Sequence, residues 1–430
     1  MNNIYSKLII LIIVITITGC QDQKTLTNKE DYNRYLNLVE NEALQTAQGD
    51  YNFWKEKLEK EPKQFPYLIK IATAQSQLFN LTGEIDYLID AEENLKLANE
   101  ITNFEKVSYL RALVRNYISQ HRFKEALSFL KKAETIGESL KGTQKMLFDV
   151  HLELGNLNDA KNYLTIIKDF NDFDYLIRLS KWSDHKGDLD SAIKYMEKAL
   201  VKAESSNLKS MKQWIYTNIA DFYGHAGEIE KSYNYYLKAL ELNPGDSYSK
   251  KGIAWIVYSY ERNPEEALRI LNKISNENKS PDYYLLKAEI ADYMKNEKEK
   301  ELNMEKYLTS VTNKKYGDMY NAYNVEIFAD SRRKLDSAYS LAKLEVQNRP
   351  TAQSYDLLAW TYYKKGDVVK ALEIVDTHVV GKTFEPTAMY HVAKIYKANG
   401  KKDEANSIKN ELLESVFELG PMMEKDINKI

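Results

Sequence analysis

Cysteine is all but missing from this 430-residue sequence: Cys20 stands alone, so no disulfide can form within the chain. Proline and glycine are scarce, at 8 and 16 residues, which leaves few interruptions and favours a mostly helical chain. There are 6 histidines, His121, His151, His185, His225, His378 and His391. None stands four residues from another and none has a cysteine nearby, so no zinc motif forms. No Gly-x-Ser-x-Gly elbow occurs. Gly381-Lys382-Thr383 ends like a phosphate loop, but Asp376 occupies the place of its first glycine. A surplus of one charge is missing too. Lys and Arg total 60 against 63 for Asp and Glu, a net of -3, or -4 once residues 1–19 with Lys7 are set aside. That balance argues against a nucleic-acid binder, which would show a basic stripe. The expectation is a chain without catalysis, metal or cofactor.

What is present begins with a targeting signal. Lys7 precedes an apolar run from Leu8 to Ile17, too short to span a bilayer as a stable helix. Ile17-Thr18-Gly19-Cys20 follows, then polar Gln21-Asp22-Gln23-Lys24. These residues resemble a bacterial lipobox. The resemblance implies cleavage before Cys20 and a diacylglycerol on its sulfur, with further acyl chains making the attachment firm. Gln21 is not the aspartate of the inner-membrane retention signal, so the outer membrane is expected, on a face left open. Residues 1–19 are read as signal peptide and 20–30 as lipid anchor and tether.

Beyond Asp31 the helical pattern hardly stops. Trp214 to Pro244 reads as a helix, a turn at His225-Ala226-Gly227-Glu228 and a second helix with Tyr233, Tyr236, Leu237 and Leu240 on its apolar face. A small residue early in each second helix marks the period: Ala91, Ala126, Ala160, Ala192, Ser232, Ala267, then Leu302 in its place, Ala338, Ala371 and Ala405, spaced by 32 to 40 residues. Tyr117, Tyr223, Tyr258, Tyr293, Tyr362 and Tyr396 lie nine before the marks, and Gly155, Gly187, Gly227, Gly366 and Gly400 five before. The pattern resembles tetratricopeptide repeats, whose period is about 34 residues. Arg349-Pro350 followed by Tyr355-Asp356-Leu357-Leu358-Ala359-Trp360 is similar to a run in bacterial proteins of that family. The resemblance implies an all-α solenoid of about ten helix pairs. Residues 63–420 form the array, 31–62 an N-terminal capping pair turning at Gly49-Asp50, and 421–430 a C-terminal cap. The spacing of 40 before Ser232 predicts an extended loop from Glu204 to Ser210, and an insertion is expected near Leu81-Thr82-Gly83.

In the family's geometry, first helices line a concave groove. The resemblance places there Arg111 and Arg115, Lys145 and Asp149, Lys181 and His185, then Trp214, Asp221 and His225, Ile256 and Tyr260, Trp360, Tyr363 and Lys364, and Tyr390 and Lys394. The early groove is basic and polar, and the later groove aromatic, as in binding hot spots. Burial of Trp214 and Trp360 against the next unit is the competing reading. No asparagine occupies the positions needed for the family's carboxylate clamp. The expected function is a lipid-anchored scaffold that binds a protein or peptide partner in the envelope. A surface glycan- or ligand-capture lipoprotein is the alternative, and an outer-membrane protein assembly factor the third reading.

Overall fold

The computed structural model describes residues 25–430 apart from Val39. Cys20 and the signal segment lie outside the described residues. Those described are all-helical, with 24 α-helices and no strand. Two helices lead in, α1 (Lys29–Leu36) and α2 (Glu42–Lys60). Ten hairpins follow. The first five are α3 (Pro66–Thr82) with α4 (Ile85–Ile101), α5 (Val107–Ser119) with α6 (Phe123–Ile136), α7 (Leu140–Glu153) with α8 (Leu157–Ile166), α9 (Phe173–His185) with α10 (Leu189–Ser205), and α11 (Lys209–His225) with α12 (Ile229–Leu242). In the sixth, α13 (Ser247–Trp255) runs into a π-helical turn, Ile256–Tyr260, before α14 (Pro264–Glu277). The rest are α15 (Asp282–Tyr293) with α16 (Glu297–Val311), α17 (Asn321–Ala329) with α18 (Leu335–Asn348), α19 (Ala352–Lys365) with α20 (Val368–His378), and α21 (Pro386–Ala398) with α22 (Lys402–Glu414). Short α23 (Val416–Leu419) and α24 (Pro421–Asn428) close the chain. No helix among the described residues is long and apolar enough to cross a membrane.

The marker residues do the packing expected of them. Ala91, Ala126, Ala160, Ala192, Ser232, Ala267, Ala338, Ala371 and Ala405 are all buried, because paired helices approach to about 8–10 Å only over small side chains. The turn glycines sit in the left-handed region, Gly227 at φ 74° for example, which closes the first helix. His121, Arg262 and Lys295 take that conformation in units without glycine, at φ 57–59°.

Four details differ from expectation. Leu302 is 39% exposed; with Lys295 as the turn, α16 starts at Glu297 and the equivalent position is Lys300. The loop expected from Glu204 to Ser210 is only 206–208, since α10 and α11 lengthen to 17 residues each. At Gly83 there is a tight left-handed turn and no bulged insertion. Finally, α2 runs straight through Gly49-Asp50, and the N-terminal turn lies before Glu42.

First helices of successive units touch one another, as α7 does α9 and α19 does α21, so they take the inner side of the curve. The curve is tight enough for successive turns of the superhelix to meet. Lys279 N donates to Thr82 O at 2.6 Å, and Lys124 Nζ to Gln347 O at 2.6 Å. Both ends of the described residues fold back onto the central hairpin. From the N-terminal side, Leu26 N and Thr27 N donate to Glu261 Oε1 at 2.7 and 2.5 Å, and Tyr32 Oη to buried Glu266 at 2.9 Å. Residues 25–28 are therefore docked, where a free tether was expected. From the C-terminal side, Phe417 O accepts from Trp255 Nε1 at 3.1 Å and Ser259 Oγ at 2.7 Å. The end of α13 presents the first donor and the π turn the second. Tyr32, Tyr35 and Leu36 complete a core with Tyr233, Ile253 and Ile270.

Candidate functional site

Where one turn faces the next on the inner side, a cavity of about 1050 Å³ remains open. One wall is made by the ends of α7, α9 and α11, with Glu153, Lys181, Asp184, His185 and His225. The other is made by loops between later units, at 349–353, 382–386 and 415–418. Glycine at the turns allows the walls to come this close: a Cβ on Gly155 would lie 3.0 Å from Pro350 O, and one on Gly187 2.6 Å from the Phe384 ring.

The cavity is electrically divided. At one side Lys181 Nζ holds Glu153 at 2.9 Å, and Arg349 reaches the same carboxylate at 3.8 Å and Glu345 at 3.2 Å. Burial pushes the Glu153 carboxyl up, but Lys181 and Arg349 outweigh it and hold it below its ordinary value. The Lys181 ammonium is kept charged by Glu153 and Asp149 against its own burial. At the other side stand Asp184, Glu385 and Glu418. All three are pushed up by burial, and Glu385 and Glu418 by neighbouring carboxylates as well. The His185 imidazole is pushed down by burial.

Of the residues placed in the groove from sequence, Lys181, His185 and His225 line this cavity. Arg111 and Arg115 line a second one, of about 320 Å³, with Lys145 and Arg178. Asp221 is engaged by the hydroxyls of Tyr236 and Tyr248, and Asp149 by Arg178 at 2.6 Å. Trp214 is 40% exposed, edge-on to Phe173. Tyr260 is half-buried against the core around Tyr258.

Three placements are corrected. Trp360 is 5% exposed, stacked on His391 at 4.0 Å and on Tyr363 at 5.0 Å; Tyr390 and Ile256 are buried too. The physical reason is the close stacking of α19 on α21, and the π turn that rotates Ile256 inward. Lys364 lies over the Trp360 ring and pairs with Asp330 at 2.7 Å, while Lys394 is half-buried and its ammonium is pushed down by that burial. So the aromatic part of the expected groove is mostly core.

Sequence reasoning missed the opposing wall, because groove positions were counted along first helices only. Arg349-Pro350 and Lys382-Thr383 belong to that wall. Also missed was the buried pair His391 Nδ1–Asp356 Oδ2, 2.8 Å apart.

Residues 215–246 match the family model described as tetratricopeptide repeat. A comparison with curated proteins finds none that matches. Among solved structures, the chain is similar to a tetratricopeptide repeat protein from Parabacteroides merdae, at 20% identity and a TM-score of 0.33, over 56% of this chain and 93% of that one. Residues 215–246 are thus matched as a tetratricopeptide repeat, and helix hairpins of the same architecture stack on either side of it.

Proposed function

We propose that the protein is a non-catalytic, lipid-anchored scaffold of the bacterial envelope, held at Cys20, that seats a segment of a protein partner between its superhelical turns. Repeats of this family generally bind proteins. The observation that carries the reading is the divided cavity. Its lining brings Lys181 and Arg349 together with Asp184, Glu385 and Glu418 around a space of about 1050 Å³. Charged side chains of both signs on such a segment would find complements, which favours specificity and register.

The test is capture from envelope extract by tagged full-length protein, followed by the triple change Asp184→Asn, Glu385→Gln and Glu418→Gln. Loss of the captured partner with unchanged helicity is expected. Retained capture, or sugar-dependent heat in calorimetry, would move the reading to glycan capture; co-purification of a barrel protein would move it to outer-membrane assembly. Separately, Cys20→Ser is expected to release the protein from the membrane fraction.

A further inference from the structure

The smaller cavity holds two guanidinium groups that make no ion pair among the described residues; the Asp174 carboxylate also lines it but is paired with Lys145. Arg111 and Arg115 stand one helical turn apart on the inner face of α5. Arg111 Nη1 donates to Ser139 O at 3.0 Å. It lies against Gly142 of α7, where a Cβ would collide with it. Arg115 is exposed at the mouth of the cavity and no hydrogen bond or ion pair engages its side chain among the described residues; partial desolvation there and the Arg111 charge push its guanidinium down. Nearby cations are already satisfied. Lys145 pairs with Asp172 at 2.7 Å and Asp174 at 2.8 Å, and Arg178 with Asp149 at 2.6 Å. Elsewhere Arg122, Arg269 and Arg349 each hold a carboxylate.

Two like charges at this helical spacing disfavour the helix that carries them. An anion between them reverses the sign of that interaction. We propose that this cavity is an oxyanion site that takes a dianionic phosphoryl group between Arg111 and Arg115. A dianion matches the two uncompensated charges. The planar donor forks of arginine suit phosphate oxygens. At about 320 Å³ the space admits a phosphoryl group and its immediate substituent. The site stands apart from the larger cavity and from any partner seated there.

The experiment is titration of full-length protein in detergent with inorganic phosphate, and with vesicles containing phosphatidic acid as a second arm that separates a lipid source from a soluble one. Arg115→Gln is expected to weaken phosphate binding about ten- to a hundredfold, the value of one charge-assisted hydrogen-bond pair. Gly142→Ala leaves every charge in place and favours the helix, but displaces Arg111; it is expected to weaken binding while melting is kept. Absence of phosphate and vesicle binding in a folded protein would overturn the proposal. So would binding that both variants leave unaltered, or equal binding of acetate, which would make the site a carboxylate reader.

Discussion

Replacing Glu266 with glutamine should free the leading helix while leaving the array folded. Glu266 is buried and accepts from Tyr32 Oη at 2.9 Å, Lys29 Nζ at 2.8 Å and Arg269 Nη2 at 2.6 Å. Removing one partner of a buried ion pair costs about 3–5 kcal/mol. Here Lys29 is 57% and Arg269 37% exposed, so solvent screens much of the loss, and about 2 kcal/mol is the expected cost. Glutamine keeps the Tyr32 hydrogen bond, so the loss falls on the charged contacts of residues 29–36. At about 1.4 kcal/mol per decade, amide exchange in that segment should speed up roughly thirtyfold. Hydrogen–deuterium exchange read by mass spectrometry measures this. Unchanged exchange in residues 29–36, or an equal increase everywhere, would refute a locally docked leader. Acid supplies a second check. Burial pushes the Glu266 carboxyl up, but hydrogen bonds from Arg269, Lys29 and Tyr32 outweigh it and hold it below 4.5. A depressed acid stabilises above its unfolded value and loses that contribution as pH falls through the folded one. Leader protection should therefore fade below about pH 4.5 in the natural protein, and be flat there in Glu266→Gln.

Other outcomes follow from the same contacts. Glu289 is pushed up to about 7 by burial, so it destabilises as pH rises from its ordinary 4.5 to 7; Glu289→Gln should raise the melting temperature at pH 8 and leave it unchanged near pH 4. Trp360→Ala should cost about 3–5 kcal/mol in denaturant titrations, whereas Trp214→Ala, at an exposed ring outside the cavity, should barely change them. Gly227→Ala meets open space and should cost about 1–2 kcal/mol for its left-handed backbone. Gly187→Ala should cost about 1–3 kcal/mol more, because its Cβ enters the Phe384 ring. Leu302→Ser, on an exposed position, should stay within about 0.5 kcal/mol of the natural protein.

How far the sequence could be read follows from the range of each interaction. The hairpins were legible because their determinants are local: a small residue, a tyrosine nine before it and a glycine five before it recur together. Where the local code lapses, the register slips, as at Leu302, which stands two residues beyond the true position. Gly49 misled for the opposite reason, since one glycine is tolerated inside a 19-residue helix. The groove was legible on its inner-helix side, and Lys181, His185 and His225 do line the cavity. Its other wall comes from residues such as Arg349 and Glu385, about two hundred positions away. Nothing in a repeat of about 34 residues encodes that closure. Burial of Trp360 was illegible for a related reason: its neighbours His391 and Tyr390 belong to the next unit.

The docking of Leu26 and Thr27 on one side and of Phe417 on the other alters the mechanics of the whole molecule. A stack of hairpins that touches only nearest neighbours behaves like a row of hinges, able to fray from its tips and stretch at small cost. Fastening both tips to the middle turns that row into a clasped coil. Neither extremity can peel away without undoing contacts at residues 255–266, so fraying from either side is opposed at the middle of the coil.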